Sequence, residues 1–162
     1  CTDKTAEIVD KVIMKAGKPA VVAGVAHEGE HWDEMDVRQM GFDTGRKMGG
    51  THFAIIDADE ILTGNWHGSV RGWFEHLAPG QCLEVQMIVP YDGLNQYRVE
   101  QSVWTRARIT MGFADAPQLC WKTRFEEKYH HHNRAPVGEV LPRMRVFPAL
   151  ESGGIFHLEW AN

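Results

Sequence analysis

Residues 51–60, THFAIIDADE, decide how this chain is read. Phe53 to Ile56 are apolar and lead into two aspartates one residue apart, Asp57 and Asp59. A short apolar run with Gly49-Gly50 before it and charge after it predicts a buried strand, Thr51–Ile56. In extended backbone, residues two apart point the same way, so Asp57 and Asp59 are expected to present two carboxylates on one side. They do so at the carboxyl end of the strand, where ligands bind in open α/β sheets. Two adjacent carboxylates repel each other, and a divalent cation relieves the repulsion. Oxygen donors favour Mg²⁺ or Mn²⁺ over zinc. The competing reading is a solvated acidic turn.

Upstream, Glu34 to Met48 carries a helical pattern, with Asp33 as its cap and Gly49-Gly50 as its stop. Before that, Ala20–Val25 reads as another buried strand. Ile8, Val9, Val12, Ile13 and Ala16 recur at helical spacing between a Thr2 or Asp3 cap and Gly17. Downstream, Asn65 is the expected cap of a third helix that buries Val70, Trp73, Phe74 and Leu77. The texture then changes to alternation. Leu83, Val85, Met87 and Val89 alternate, as do Val103, Ala107, Ile109, Met111 and Phe113, and Leu119, Trp121, Thr123 and Phe125. Turns are expected at Asp92-Gly93 and Ala116-Pro117, a long functional loop over residues 126–142, and short strands at Met144–Phe147 and Ile155–Trp160. The expected fold class is α/β: a mixed sheet flanked by helices, with an antiparallel extension in the second half.

The chain has 162 residues, which predicts a single domain, 1–162. Its 17 basic and 22 acidic residues give a net charge of −5, which excludes wrapping nucleic acid as a function. A polyphosphate substrate stays open, because a metal ion supplies positive charge locally. Cys1, Cys82 and Cys120 are an odd, scattered set, so no disulfide framework is expected and a reducing, cytoplasmic setting fits. The longest apolar stretch, Ala20–Ala26, is too short to span a membrane, and no signal peptide is read. The chain lacks an initiator Met and both ends read as cut, so a piece of a longer protein is expected. G-x-G-x-x-G, Walker A and G-x-S-x-G motifs are absent.

His157 lies in a short apolar strand after Gly153-Gly154. It reads either as a core histidine bonded to backbone or as a neutral imidazole completing a carboxylate–histidine metal site. His130, His131 and His132 have only Cys120 as a nearby thiol, a poor zinc set. Arg134 meets a phosphate or pairs with Glu126 or Glu127. Asp115, Glu126 and Glu127 are candidate bases if a pocket raises their affinity for a proton; otherwise they are a turn aspartate and surface glutamates. The six Trp residues read mostly as core, with some as sugar-stacking platforms.

Taken together, these segments resemble the family 2-like nucleotide-sugar glycosyltransferases, which have the GT-A fold. CTDKTAEIVDKV (1–12) is similar to the Ser-Thr-Asp-x-Thr-x-Glu-Ile stretch that opens that family's second helix. VRQMGFDTGRKMGGTHFAIIDADE (37–60) is similar to the helix, Gly turn, strand and Asp-x-Asp that follow. HNRAP (132–136) and GGIFHLEWAN (153–162) resemble later segments of a bacterial and phage subgroup. The likeness is specific around residues 38–60 and loose between 80 and 125. Members normally carry a strand, a helix and a strand before the position of Cys1, so the resemblance implies a fragment lacking them and part of the base pocket.

The resemblance further implies a nucleotide- and metal-binding half, 1–60, and an acceptor half, 61–162. Asp59 would bind Mn²⁺ or Mg²⁺ directly, Asp57 would hold it through water or bind the donor ribose, and His157 would be a third ligand. Arg38 would contact the donor nucleotide, and Asp115 would be the base, with Glu126 and Glu127 as alternatives. The partners are a nucleotide-sugar donor and a glycan or other hydroxyl acceptor, and the implied reaction is an inverting sugar transfer. Two other classes stay open: a non-catalytic carbohydrate- or nucleotide-binding remnant, and a metal-dependent phosphate-ester hydrolase.

Overall fold

The computed structural model describes residues 4–20, 34–90, 95–97, 99–100, 107–121, 134–138, 141–146 and 153–158. The chain divides into two units, Cys1–Trp32 and Asp33–Asn162. In the first, helix α1 spans Thr5–Ala16. Gly17 ends it at φ 60°, donating its N–H to the Ile13 carbonyl at 3.1 Å, a left-handed cap that glycine adopts without strain. Lys4 holds the N-cap position without a side-chain bond, and the expected caps Thr2 and Asp3 lie outside the described residues. The apolar stripe is present, but no residue of α1 is buried. Residues 21–25 of the expected first strand also lie outside the described residues.

The second unit contains α2 (Glu34–Lys47), β1 (His52–Ala54), β2 (Glu60–Leu62), a 3-10 turn (Gly64–Trp66), α3 (Val70–Glu75), β3 (Cys82–Ile88), β4 (Arg108–Ala114), β5 (Met144–Arg145) and β6 (Ile155–His157). It is mixed α/β. Its sheet runs β1-β4-β3-β6-β2, with β5 also paired to β3. The β1–β4, β3–β4 and β2–β6 pairs are antiparallel, and β6 and β5 run parallel to β3. No helix among the described residues is long and apolar enough to cross a membrane.

α2 matches its predicted span because its ends suit it. Glu34 and Asp36 occupy the first turn and Arg46 and Lys47 the last, each sign facing the favourable end of the helix dipole. Beyond it Gly50 donates to the Gly45 carbonyl at 2.9 Å. Phe42 is the anchor of the helix. Its ring meets Phe53 edge-on at 4.8 Å and Phe113 at 5.2 Å. This aromatic set joins Met35, Cys82, Leu119 and Trp121 in one buried cluster.

The second cluster, on the other face, holds Leu83, Val85, Ile109, Met111, Trp66, Leu77 and Ile155. Simple alternation placed Phe113 beside Ile109 and Met111. A bulge separates them. Leu83 pairs with Gly112 but Glu84 pairs with Thr110, so Met111 is an extra residue in β4. One inserted residue reverses the facing of everything beyond it. Phe113 therefore turns toward α2 and Met111 away from it. Gly112 completes the device: a Cβ there would collide with the Phe53 carbonyl oxygen and with the Phe74 ring.

Two expectations need correction. β1 is not fully buried: among the described residues it ends the sheet, only Phe53 is half-buried, and Ile56 beyond it is 43% exposed. Its apolar residues meet α2 on one side only. Asn65 does not cap the third helix. The 3-10 turn intervenes through bonds from Trp66 N–H to the Thr63 carbonyl and from Ser69 N–H to the Trp66 carbonyl, so α3 starts at Val70 after Ser69.

Candidate functional site

The backbone of β1 stays paired as far as Ile55, whose N–H donates to the Met111 carbonyl at 2.8 Å. It then turns. Glu60 N–H donates to the Asp57 carbonyl at 3.1 Å, and Asp57 N–H donates to Glu60 Oε2 at 3.0 Å. Residues 57–60 are thus a turn closed from both sides rather than extended strand. Extended alternation does not operate in a turn, so the two aspartates do not face one way as expected. Asp57 faces two arginines and Asp59 faces His157.

Beneath the turn lies a buried ion pair. Arg134 Nη1 donates to Glu60 Oε1 at 2.5 Å and Nη2 to Oε2 at 2.6 Å, with side chains only 8% and 2% exposed. The same Nη2 donates to the Ile55 carbonyl at 2.9 Å. This two-pronged geometry is one that arginine makes and lysine does not. Arg134 Nε is buried and finds no hydrogen-bond partner among the described residues. The expected partners of Arg134, Glu126 and Glu127, lie outside the described residues, as do His130, His131 and His132.

Asp57 sits between two guanidinium groups, its Oδ1 3.6 Å from Arg38 Nη2 and its Oδ2 3.7 Å from Arg134 Nη2. These are ion-pair distances, longer than hydrogen bonds. With its side chain 46% exposed, Asp57 can be reached from solvent. Arg38 is held by Glu34, to which its Nε donates at 2.7 Å, and by the Trp121 ring, whose centre lies 5.6 Å from the guanidinium carbon. A cleft of about 370 Å³ opens here between Arg38, Asp57, Phe53, Phe113 and Trp121.

Asp59 and His157 are brought together by strand register. β2 and β6 set Glu60 opposite His157, and Leu158 N–H donates to the Asp59 carbonyl at 2.8 Å. This leaves Asp59 Oδ2 3.4 Å from His157 Nε2. Neighbouring ligands of a small octahedral cation, each ~2.1 Å from it, lie ~3 Å apart. At 3.4 Å the carboxylate oxygen and the imidazole nitrogen stand slightly farther apart than that, close enough for the pair to supply two donors to one such cation. Asp57 does not converge with them, and no group of three His, Cys, Asp or Glu side chains suited to a metal occurs among the described residues.

Asp115 lies elsewhere. β4 runs antiparallel to β1, so its carboxyl end meets the start of β1: Asp115 N–H donates to the Thr51 carbonyl, whereas the D-x-D turn follows Ile55. The three residues of β1 separate those two bonds, roughly 10 Å. Arg46 grips Asp115 from α2, with Nε to Oδ2 at 2.9 Å and Nη2 to Oδ1 at 2.7 Å. It also reaches the Ala116 carbonyl at 3.0 Å and lies over the Phe42 ring at 3.8 Å. The hydrogen bond to Asp115 raises the Arg46 pKa against the opposing effect of burial, and the Asp115 charge adds to it. Asp115 lines a separate cleft of about 540 Å³ with His52, Leu77 and Pro79.

The sequence pattern missed Glu60 as a site residue. Its one signal is a carboxylate that continues the acidic run directly into the apolar pair Ile61-Leu62. No family model, curated protein or solved structure matches this chain.

Proposed function

We propose that the chain binds a nucleotide-sugar donor at the Asp57–Asp59 turn and supports metal-dependent transfer of the sugar to an acceptor hydroxyl, with inversion. The observation that carries this reading is the placement of Asp59 and His157 3.4 Å apart beside a carboxylate, Asp57, that is flanked by Arg38 and Arg134. Asp59 and His157 would hold Mn²⁺ or Mg²⁺, which would offset the negative charge that develops on a departing nucleoside diphosphate. Asp57 is half-exposed, and among the described residues its carboxylate meets Arg38 and Arg134 only at ion-pair distance, which suits it to accept hydrogen bonds from sugar or ribose hydroxyls. Arg38 at the rim brings a cation to the phosphates.

Asp115 is remote from this cluster and gripped by Arg46, so we assign it a structural role. Glu126 and Glu127 are retained as the candidate bases. The second reading is a carbohydrate- or nucleotide-binding module without turnover. It is favoured by one observation: Asp57 is the one carboxylate among the described residues that line the cleft.

Calorimetric titration of UDP and GDP with and without Mn²⁺ tests the proposal. Binding should require Mn²⁺, vanish with EDTA and weaken about tenfold or more in Asp59→Asn, the loss of one charged contact. Free Mn²⁺ followed by electron paramagnetic resonance gives the metal affinity independently. Nucleotide binding indifferent to metal and to Asp59 would refute the assignment. Metal-dependent binding with no transfer to any hydroxyl acceptor would favour the binding module.

A further inference from the structure

We infer that the buried Glu60–Arg134 pair is the positioning device of the D-x-D turn, setting where Asp57 and Asp59 stand before any ligand arrives. The consequence for ligand affinity rests on the function proposed above; the positioning itself does not.

The contacts of the pair converge on one short segment. Arg134 donates to both oxygens of Glu60 and to the Ile55 carbonyl. Glu60 Oε2 in turn accepts from Asp57 N–H. Arg134 Nη2 also stands 3.7 Å from the Asp57 carboxylate. The pair thus grips residues 55, 57 and 60, which are the two flanks and the first aspartate of the turn.

Stability alone does not call for such an arrangement. A buried ion pair bears a desolvation cost close to its Coulomb gain, and apolar side chains of similar volume often replace it without loss. What apolar side chains cannot supply is an acceptor for Asp57 N–H, a donor for the Ile55 carbonyl and a fixed cation beside Asp57. Those three services all act on the site. The fork also suits arginine at position 134, because its two terminal nitrogens lie side by side and match the two carboxylate oxygens, whereas an ammonium's three donors radiate from one nitrogen.

The test uses Glu60→Gln, which is nearly isosteric, and the double variant Glu60→Leu/Arg134→Met, which removes both charges together. Amide hydrogen exchange by NMR on the ligand-free protein is compared at Asp57 and at core amides such as Val85 and Met111. The expected result in both variants is Asp57 exchange accelerated about tenfold or more, while the core amides change far less. Mn²⁺ affinity by paramagnetic resonance and Mn²⁺-dependent UDP or GDP affinity should fall by a similar factor at a temperature where both variants are folded.

Asp57 exchange that rises only in step with the core amides would overturn the inference, since the pair would then serve the fold alone. If the double variant does not fold, Glu60→Gln decides by the same comparison. If wild-type protein binds neither Mn²⁺ nor nucleotide, the proposed function fails, and the exchange comparison still decides whether the pair holds the turn.

Discussion

Replacing Asp115 by Asn separates a structural carboxylate from a catalytic one. Asp115 receives two charge-assisted bonds from Arg46, at 2.9 and 2.7 Å. Asparagine keeps one acceptor and turns an amide N–H₂ toward the other guanidinium nitrogen. One bond is lost and a donor faces a donor. A hydrogen bond to a charged group is worth about 1.5–3 kcal/mol. The side chains of Arg46 and Asp115 are 28% and 23% exposed, so solvent screening favours the low end. A loss of about 1.5 kcal/mol corresponds to a Tm lower by roughly 3–6 °C in a chain of this size. Thermal melts by circular dichroism measure that loss, and Mn²⁺-dependent UDP or GDP binding should be unchanged. An unaltered Tm together with abolished sugar transfer would refute the reasoning and restore Asp115 as the base. The pH dependence has a definite sign on the arginine side. Because the Arg46 pKa is raised, its contribution is fully present below the ordinary arginine range and disappears only as pH rises through the raised value. Titration from neutral into mildly alkaline solution should therefore leave the arginine's share of the wild-type advantage over Asp115→Asn intact.

Phe42→Ala removes a ring that is 3% exposed and wedged between Phe53 and Phe113, and should cost about 3–5 kcal/mol in urea unfolding; a loss below ~1 kcal/mol would mean that α2 is not anchored there. Gly112→Ala places a methyl against the Phe53 carbonyl and the Phe74 ring, and should lower stability by about 1–3 kcal/mol. An unchanged urea midpoint would contradict the bulge geometry of β4.

The parts of the fold legible in the sequence are those set by local chemistry. The span of α2 follows from its charged ends and the Gly49-Gly50 stop, β3 from the alternation of Leu83, Val85 and Met87, and β6 from a short apolar run. What escaped is set by partners far along the chain. The bulge at Met111 depends on close approach of Phe53 and Phe74 to Gly112, and no periodicity within β4 signals it. The partial exposure of β1 goes with its place at the end of the sheet among the described residues, which is a property of the sheet and not of the strand. At the site, the aspartates and His157 stood out by residue type and Arg38 through the resemblance, and the structure brings Asp57 near Arg38 and Asp59 near His157. Their division into two facings escaped, because Glu60 bends the segment by bonding to Asp57 N–H, supported by Arg134 from 74 residues downstream.

The β2–β6 ladder bears on the order in which the protein can be built. Among the described residues β2, which opens on Glu60 and carries the end of the D-x-D turn, pairs in the sheet with β6 alone, and β6 is tied to β3. During synthesis β1, β3 and β4 can pair as soon as residue 114 has left the ribosome. The Asp59–His157 contact must wait until residues 155–157 emerge. A nascent chain can therefore own most of its sheet before Arg134 emerges to grip the acidic turn and before β6 emerges to pair with the strand that follows it. Closing the far edge of the sheet and assembling the site are then the same late event.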